Sequence, residues 1–164
     1  MSQNVWVNGI QDGKINAADV GIVRGMAVFE TIRTYGNKPF RLREHLSRLR
    51  DSARFLGIEI PQTEVIFNEL EHAFDENVWI RITLTLGGNR IVETAPIDRG
   101  KIGSPLRLAS IVQPPPPWLP GTVKHCSRAS WVMACQQLKV DEVLFLDEDG
   151  FILEANRSNV LAVV

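Results

Sequence analysis

The sequence predicts a mixed α+β protein built in two parts. Three observations carry that prediction. Residues 27–35 and 78–86 alternate with the period of a half-buried strand, while residues 44–56 repeat with the period of a helix. Between these elements and a later helix-and-strand segment stands Pro114-Pro115-Pro116-Pro117-Trp118-Leu119-Pro120. Such a run cannot continue a helix or a central strand and favours extended geometry.

The elements follow in order. Val5-Trp6-Val7 runs into Asn8-Gly9, the signature of a strand and a hairpin turn. Residues 21–26 read as a loop. Ala27 to Tyr35 is a strand, with Val28, Glu30, Ile32 and Thr34 on one face and Phe29, Thr31, Arg33 and Tyr35 on the other. Gly36-Asn37 turns the chain, and Pro39 to Leu42 returns as a strand. Glu44 to Leu56 is a helix, with Leu46, Leu49, Ala53 and Leu56 at helical spacing and Gly57 as its stop. Thr63 is expected to cap a second helix that reaches Phe74. Val78 to Leu86 is a strand ended by Gly87-Gly88-Asn89, and Leu106 to Val112 is another. After the prolines, Ser127 is expected to cap a helix through Leu138, on the same helix as Cys126 and Cys135. Three strands then follow: 142–146, 151–155 and 160–164. The expected domains are therefore 1–113, a linker at 114–120, and the start of a second domain at 121–164.

Composition narrows the function classes. Hydrophobic residues make up 45% and charged residues 23%, and the formal net charge is −1. This balance gives no reason to expect nucleic acid or an anionic membrane as partner. No apolar run approaches the roughly 20 residues of a membrane span. Met1-Ser2-Gln3-Asn4 has no charged leader and no apolar core behind it, so no signal peptide is expected. Cys126 and Cys135 form no CxxC pair, and His45, His72 and His125 are scattered, so no metal site is expected. The two cysteines are too far apart on one helix for an intrahelical disulfide, and a reducing, cytoplasmic setting fits. The sequence stops on Leu161-Ala162-Val163-Val164, an apolar run with no polar tail. It is expected to be a truncated representation of the protein, or else a chain whose sheet is completed by a partner.

Two residues define the expected chemistry, Lys124 and Glu154. A lysine amine forms an imine with the aldehyde of pyridoxal phosphate, and a carboxylate keeps the pyridine nitrogen protonated so that the ring draws electrons. Arg48, within Glu44-His45-Leu46-Ser47-Arg48-Leu49, offers a planar fork suited to a phosphate.

Several separated segments come in one order: 27–33, 40–49, Lys124, 141–147 and 150–159. Together they resemble the fold type IV pyridoxal-phosphate enzymes, the class IV aminotransferases. That family includes branched-chain aminotransferases, D-amino acid aminotransferases and aminodeoxychorismate lyases. The resemblance implies a two-domain fold of the D-amino acid aminotransferase type. It implies that Lys124 is the Schiff-base lysine and proton shuttle, and that Glu154 pairs with the pyridinium nitrogen. Arg48 would bind the cofactor phosphate, with Ser158 and Asn159 also at the cofactor. It further implies small amino acids and 2-oxo acids as substrates, and a homodimer.

The subgroup markers point in different directions. Phe29 stands where D-amino acid aminotransferases carry a tyrosine, and Thr85-Leu86-Gly87-Gly88 lacks the arginine and histidine of their carboxylate trap. Trp79-Ile80-Arg81 resembles the aromatic-x-Arg of branched-chain enzymes, with Arg81 organising a substrate carboxylate. Ala129 stands where those enzymes have a tyrosine, and Lys124-His125-Cys126-Ser127-Arg128 looks like the Lys-His-x-x-Arg of the lyases. Three readings stay open. They are an aminotransferase, a lyase that releases pyruvate, and a non-catalytic fragment or pseudoenzyme serving as a dimerising module.

Overall fold

The structure, a computed structural model, describes residues 3–113, 116 and 118–163. The elements are β1 (Asn4–Val7), β2 (Ile10–Gln11), α1 (Val20–Arg24), β3 (Ala27–Tyr35), β4 (Lys38–Pro39), α2 (Leu42–Phe55), α3 (Thr63–Glu71), β5 (Val78–Thr85) and β6 (Arg90–Pro96). A short 3-10 turn at Arg99–Lys101 precedes β7 (Leu108–Val112), α4 (Ala129–Leu138), β8 (Glu142–Leu146) and β9 (Ile152–Ala155). The mixed helix and sheet architecture agrees with the fold class read from the sequence.

The chain forms two compact units. The first takes the residues up to Asp98 together with Thr122–Ser127. The second takes Arg99–Gly121 and the residues from Arg128 onward.

The first unit is a six-stranded sheet in the order β2-β1-β6-β5-β3-β4. Antiparallel pairing sets Val28 opposite Leu84, Glu30 opposite Ile82 and Ile32 opposite Ile80, so these side chains share one face. Val28, Glu30, Ile32, Ile80 and Ile82 are fully buried there. Helix α2 covers this face beside β3. Its Leu46, Leu49 and Ala53 recur three and four residues apart and make one apolar stripe. Leu49 is fully buried, which stabilises the unit by about 1.5–3 kcal/mol relative to leaving it exposed.

Local chemistry moves several element ends from where the sequence places them. Residues 20–24 are a short helix rather than a loop, because the Asp19 carboxylate accepts from the N–H of Gly21 at 2.6 Å. Arg41 adopts a left-handed φ of 51°, which ends β4 at Pro39 and starts α2 at Leu42. Thr63 is the first helical residue of α3 and Gln62 its cap, since the Thr63 hydroxyl accepts from Arg50 Nη2 at 2.6 Å. Strand β6 has no counterpart in the sequence reading, yet it lies inside the sheet, paired with both β1 and β5.

The second unit holds a three-stranded sheet in the order β7-β8-β9. β7 pairs parallel with β8 from Leu108 opposite Glu142 to Val112 opposite Leu146. The 108–112 strand therefore pairs with the later strands rather than with the first sheet. Pro114, Pro115 and Pro117 of the proline-rich run lie outside the described residues. Residues 160–163 form no strand, and Val164 lies outside the described residues. The sequence expects a third strand there, but among the described residues no strand pairs with them.

Candidate active site

Lys124 sits in the first unit, on an extended segment and not on a helix. The edge of β3 has open backbone groups at its N-terminal end, because the two-residue β4 covers only Thr34 and Tyr35. Residues 124–126 fill that gap. The N–H of Phe29 donates to the carbonyl of Lys124 at 3.0 Å, and the N–H of Cys126 donates to the carbonyl of Ala27 at 2.8 Å. A bridge between Val28 and His125 lies between them. Ser127 does not cap α4: its hydroxyl donates to the carbonyl of Gly25 at 3.1 Å, and α4 starts two residues later. Cys126 and Cys135 are accordingly on different elements.

This pairing places Lys124 on the sheet face opposite α2, with Phe29. The Lys124 ammonium lies 5.5 Å from the centre of the Phe29 ring, and the Arg81 guanidinium lies 4.0 Å from the same ring. Arg81 faces Thr31 across the strands, and Trp79 faces Arg33 two residues away, so Phe29, Trp79 and Arg81 share one face. Arg81 Nε also lies 3.9 Å from a Glu93 carboxylate oxygen. The arrangement sets two cations beside one aromatic ring, which attracts both electrostatically.

Arg48 approaches from the other side of β3. Glu30 is a carboxylate in the middle of an apolar face, with its side chain 0% exposed. An isolated charge there would be prohibitive, so it must be paired. Arg48 donates from Nε to Oε1 and from Nη2 to Oε2, the latter at 2.7 Å. His45 Nδ1 lies 2.7 Å from Oε2. An ionised carboxylate only accepts, so Nδ1 carries the donated hydrogen. Burial raises the pKa of Glu30, but the hydrogen bonds from Arg48 and His45, with the nearby charges of Arg48 and Lys124, bring it below the ordinary glutamate value. The Glu30 hydrogen bond in turn raises Arg48 against the opposing effect of burial. Ser52 lies four residues after Arg48 on α2 and accepts from the backbone N–H of Lys124 at 3.1 Å.

In the second unit, Glu154 sits on β9 opposite Phe145 and is partly buried. The Ser158 hydroxyl donates to Glu142 Oε1 at 2.6 Å, and its N–H to Glu142 Oε2 at 3.1 Å. Glu142 is 4% exposed. Asn156 exchanges hydrogen bonds with Val143: its Oδ1 accepts from the N–H at 3.1 Å and its N–H donates to the carbonyl at 3.0 Å. Its carbonyl accepts from Arg128 Nη1 at 3.0 Å. Asn159 is exposed.

The structure thus gathers Lys124, Arg48, Phe29, Trp79 and Arg81 on the first unit, and Glu154, Ser158 and Asn159 on the second. The sequence reading misses the roles of Glu30, His45, Ser52, Glu142 and Asn156. One signal for the first group was available: His45, Arg48 and Ser52 recur at helical spacing beside the apolar stripe of α2.

The sequence model of the family described as amino-transferase class IV matches residues 27–164. This chain belongs to the class IV amino-transferase family. Among curated relatives, a Methanocaldococcus jannaschii protein provisionally named a branched-chain-amino-acid aminotransferase is 31% identical over 97% of this chain and 65% of its own length. The branched-chain-amino-acid aminotransferase-like protein 2 of Arabidopsis thaliana is 29% identical over 92% of this chain and 32% of its own. The chain thus spans less than two thirds of either relative. Among solved structures, a hypothetical aminotransferase from Mycobacterium tuberculosis in its PLP-bound form superposes with a TM-score of 0.83, at 23% identity over 96% of this chain and 66% of that one. The branched-chain amino acid aminotransferase from Escherichia coli gives 0.75, at 20% identity over 95% and 62%. At these identities the structural likeness is one of fold. It places this class IV chain within the architecture expected from its sequence.

Proposed function

We propose that this chain acts as a pyridoxal-phosphate-dependent aminotransferase that moves an amino group between an α-amino acid and a 2-oxo acid. The observation that carries the reading is the fixed placement of Lys124. Its segment is pinned to β3 by two backbone hydrogen bonds and to α2 by Ser52, and α2 also carries Arg48.

The residues fit the cofactor by their chemistry. Lys124 is an amine beside an aromatic face, Arg48 a half-exposed guanidinium with a fixed partner, and Glu154 a partly buried carboxylate. They match an aldehyde, a phosphate and a ring nitrogen in turn. When bound, the cofactor supplies an aldehyde that takes up the amino group and a protonated ring that spreads negative charge from the substrate Cα.

Lys124 Nζ would hold the cofactor and would accept the proton from the substrate Cα. Glu154 keeps the ring nitrogen protonated. Arg48 binds the phosphate, and Ser158 and Asn159 add contacts to the cofactor. Phe29 and Trp79 offer apolar area to a substrate side chain, and Arg81 a cation to a carboxylate. The names of the curated relatives favour a branched-chain amino acid as donor. A homodimer and a cytoplasmic setting belong to the same proposal. The family resemblance supports the first. Among the described residues, no helix is long and apolar enough to cross a membrane.

The test is amino transfer by purified protein supplied with pyridoxal phosphate, a branched-chain amino acid and 2-oxoglutarate. Glutamate and the new 2-oxo acid should appear in equal amounts. Pyruvate released from aminodeoxychorismate without an amino acceptor would support the lyase reading instead. Failure to retain cofactor would support the non-catalytic one.

A further inference from the structure

We propose that Glu30 is a positioning residue that presets the Arg48 guanidinium for the cofactor phosphate. The inference rests on the reading above and adds a part that it does not contain. Glu30 itself is sealed from solvent, with its side chain 0% exposed, so it cannot touch a ligand. Arg48 is half exposed, with its side chain 50% accessible. Glu30 occupies one edge of the fork, the Nε and Nη2 hydrogens. Nη1 keeps both its donors, with no partner among the described residues. His45 holds the same carboxylate through Nδ1, so the pairing partner is itself fixed from two directions.

Two opposite effects compete at this pair. Glu30 offsets the positive charge of Arg48, which weakens attraction for a phosphate. It also immobilises a long side chain whose free rotamers would otherwise be lost on binding. Arg48 is half in water, where charge–charge attraction is screened. Immobilisation therefore wins, and removing the carboxylate should weaken phosphate binding. The opposite sign is expected if net charge alone governs.

The experiment compares two ligands, pyridoxal phosphate and pyridoxal, binding to the purified chain by equilibrium dialysis. The ratio of their affinities isolates the contribution of the phosphate. In Glu30→Gln the ratio should fall on the order of tenfold, the scale set by one long side chain's rotamer freedom. Pyridoxal affinity itself should hold. Arg48→Gln should lose at least as much, and the double variant no more than Arg48→Gln alone. A merely structural role for Glu30 would weaken both ligands alike and leave the ratio unchanged, which overturns the proposal. A ratio that rises in Glu30→Gln overturns it in favour of net charge. If the wild-type chain retains no pyridoxal phosphate on Lys124, the functional reading fails first, and that outcome is separate from an unchanged ratio. Should Glu30→Gln not fold, the wild-type chain without ligand still decides. The Arg48 Nε–H should exchange with solvent far more slowly than that of exposed Arg24. Equal rates would overturn preorganisation.

Discussion

Lys124 donates its backbone N–H to the hydroxyl of Ser52 at 3.1 Å, which ties the lysine to the helix that carries Arg48 one turn earlier. The two groups assigned to the neighbouring aldehyde and phosphate arms of the cofactor are therefore held by one helix and one strand edge. Ser52 is 2% exposed, so Ser52→Ala leaves a donor without its acceptor. The expected cost is about 1 kcal/mol of stability, with weaker cofactor retention. Denaturant unfolding and cofactor titration check the two effects separately.

Acid should unfold the first unit partly through Glu30. Its carboxyl is held below the ordinary value of 4.5 in the folded chain. The unfolded chain then binds more protons than the folded chain between the two pKa values, so stability falls as pH falls. The contribution is complete above the ordinary glutamate range and is lost as pH drops through the depressed value. Wild-type protein should lose denaturant midpoint below about pH 4.5 more steeply than Glu30→Gln. At neutral pH that variant should be less stable by about 1.5–3 kcal/mol, the range for hydrogen bonds to a charged group.

The turn between β5 and β6 distinguishes two adjacent glycines. The Asp19 carboxylate accepts from Thr85 Oγ1 at 2.8 Å and from Asn89 Nδ2 at 2.6 Å, and a Cβ on Gly87 would overlap it. Gly88 meets nothing within 4 Å but adopts a φ of +85°. Gly88→Ala should cost about 1 kcal/mol through backbone conformation alone. Gly87→Ala should cost more, and its effect should shrink in an Asp19→Ala background. A double-mutant cycle by denaturation measures both.

Strands β3 and β5 were legible because both alternate cleanly and have one dry face. Helix α2 was legible through Leu46, Leu49 and Ala53. β6 has the same alternation, with Val92 and Thr94 buried and Ile91, Glu93 and Ala95 half-buried, but Arg90, Glu93, Thr94 and Pro96 weaken its local strand signal, and pairing with β1 and β5 decides it. The extended path of residues 124–126 is wholly non-local, since its partner strand lies nearly a hundred residues earlier. Lys124 and Arg48 were readable as candidates from residue type and family resemblance. Their common support, Glu30 and Ser52, was not, because a strand glutamate and a helix serine look like surface residues until their burial is known.

Arg81 should govern substrate carboxylate binding. Its guanidinium lies against Phe29 and near Glu93. Arg81→Gln should raise the KM for the 2-oxo acid by at least about tenfold, the loss of one charge-assisted hydrogen bond. Arg81→Lys should recover only part of it, because a lysine lacks the planar fork. Steady-state kinetics with varied 2-oxo acid concentration checks the split between KM and kcat.

The most direct test of the account is where pyridoxal phosphate attaches. Reductive trapping of the cofactor on purified protein, followed by peptide mass mapping, should place the label on Lys124. The label should vanish in Lys124→Ala. Label on Lys14, Lys38, Lys101 or Lys139, or equal labelling of the variant, would contradict the assignment on which the account rests.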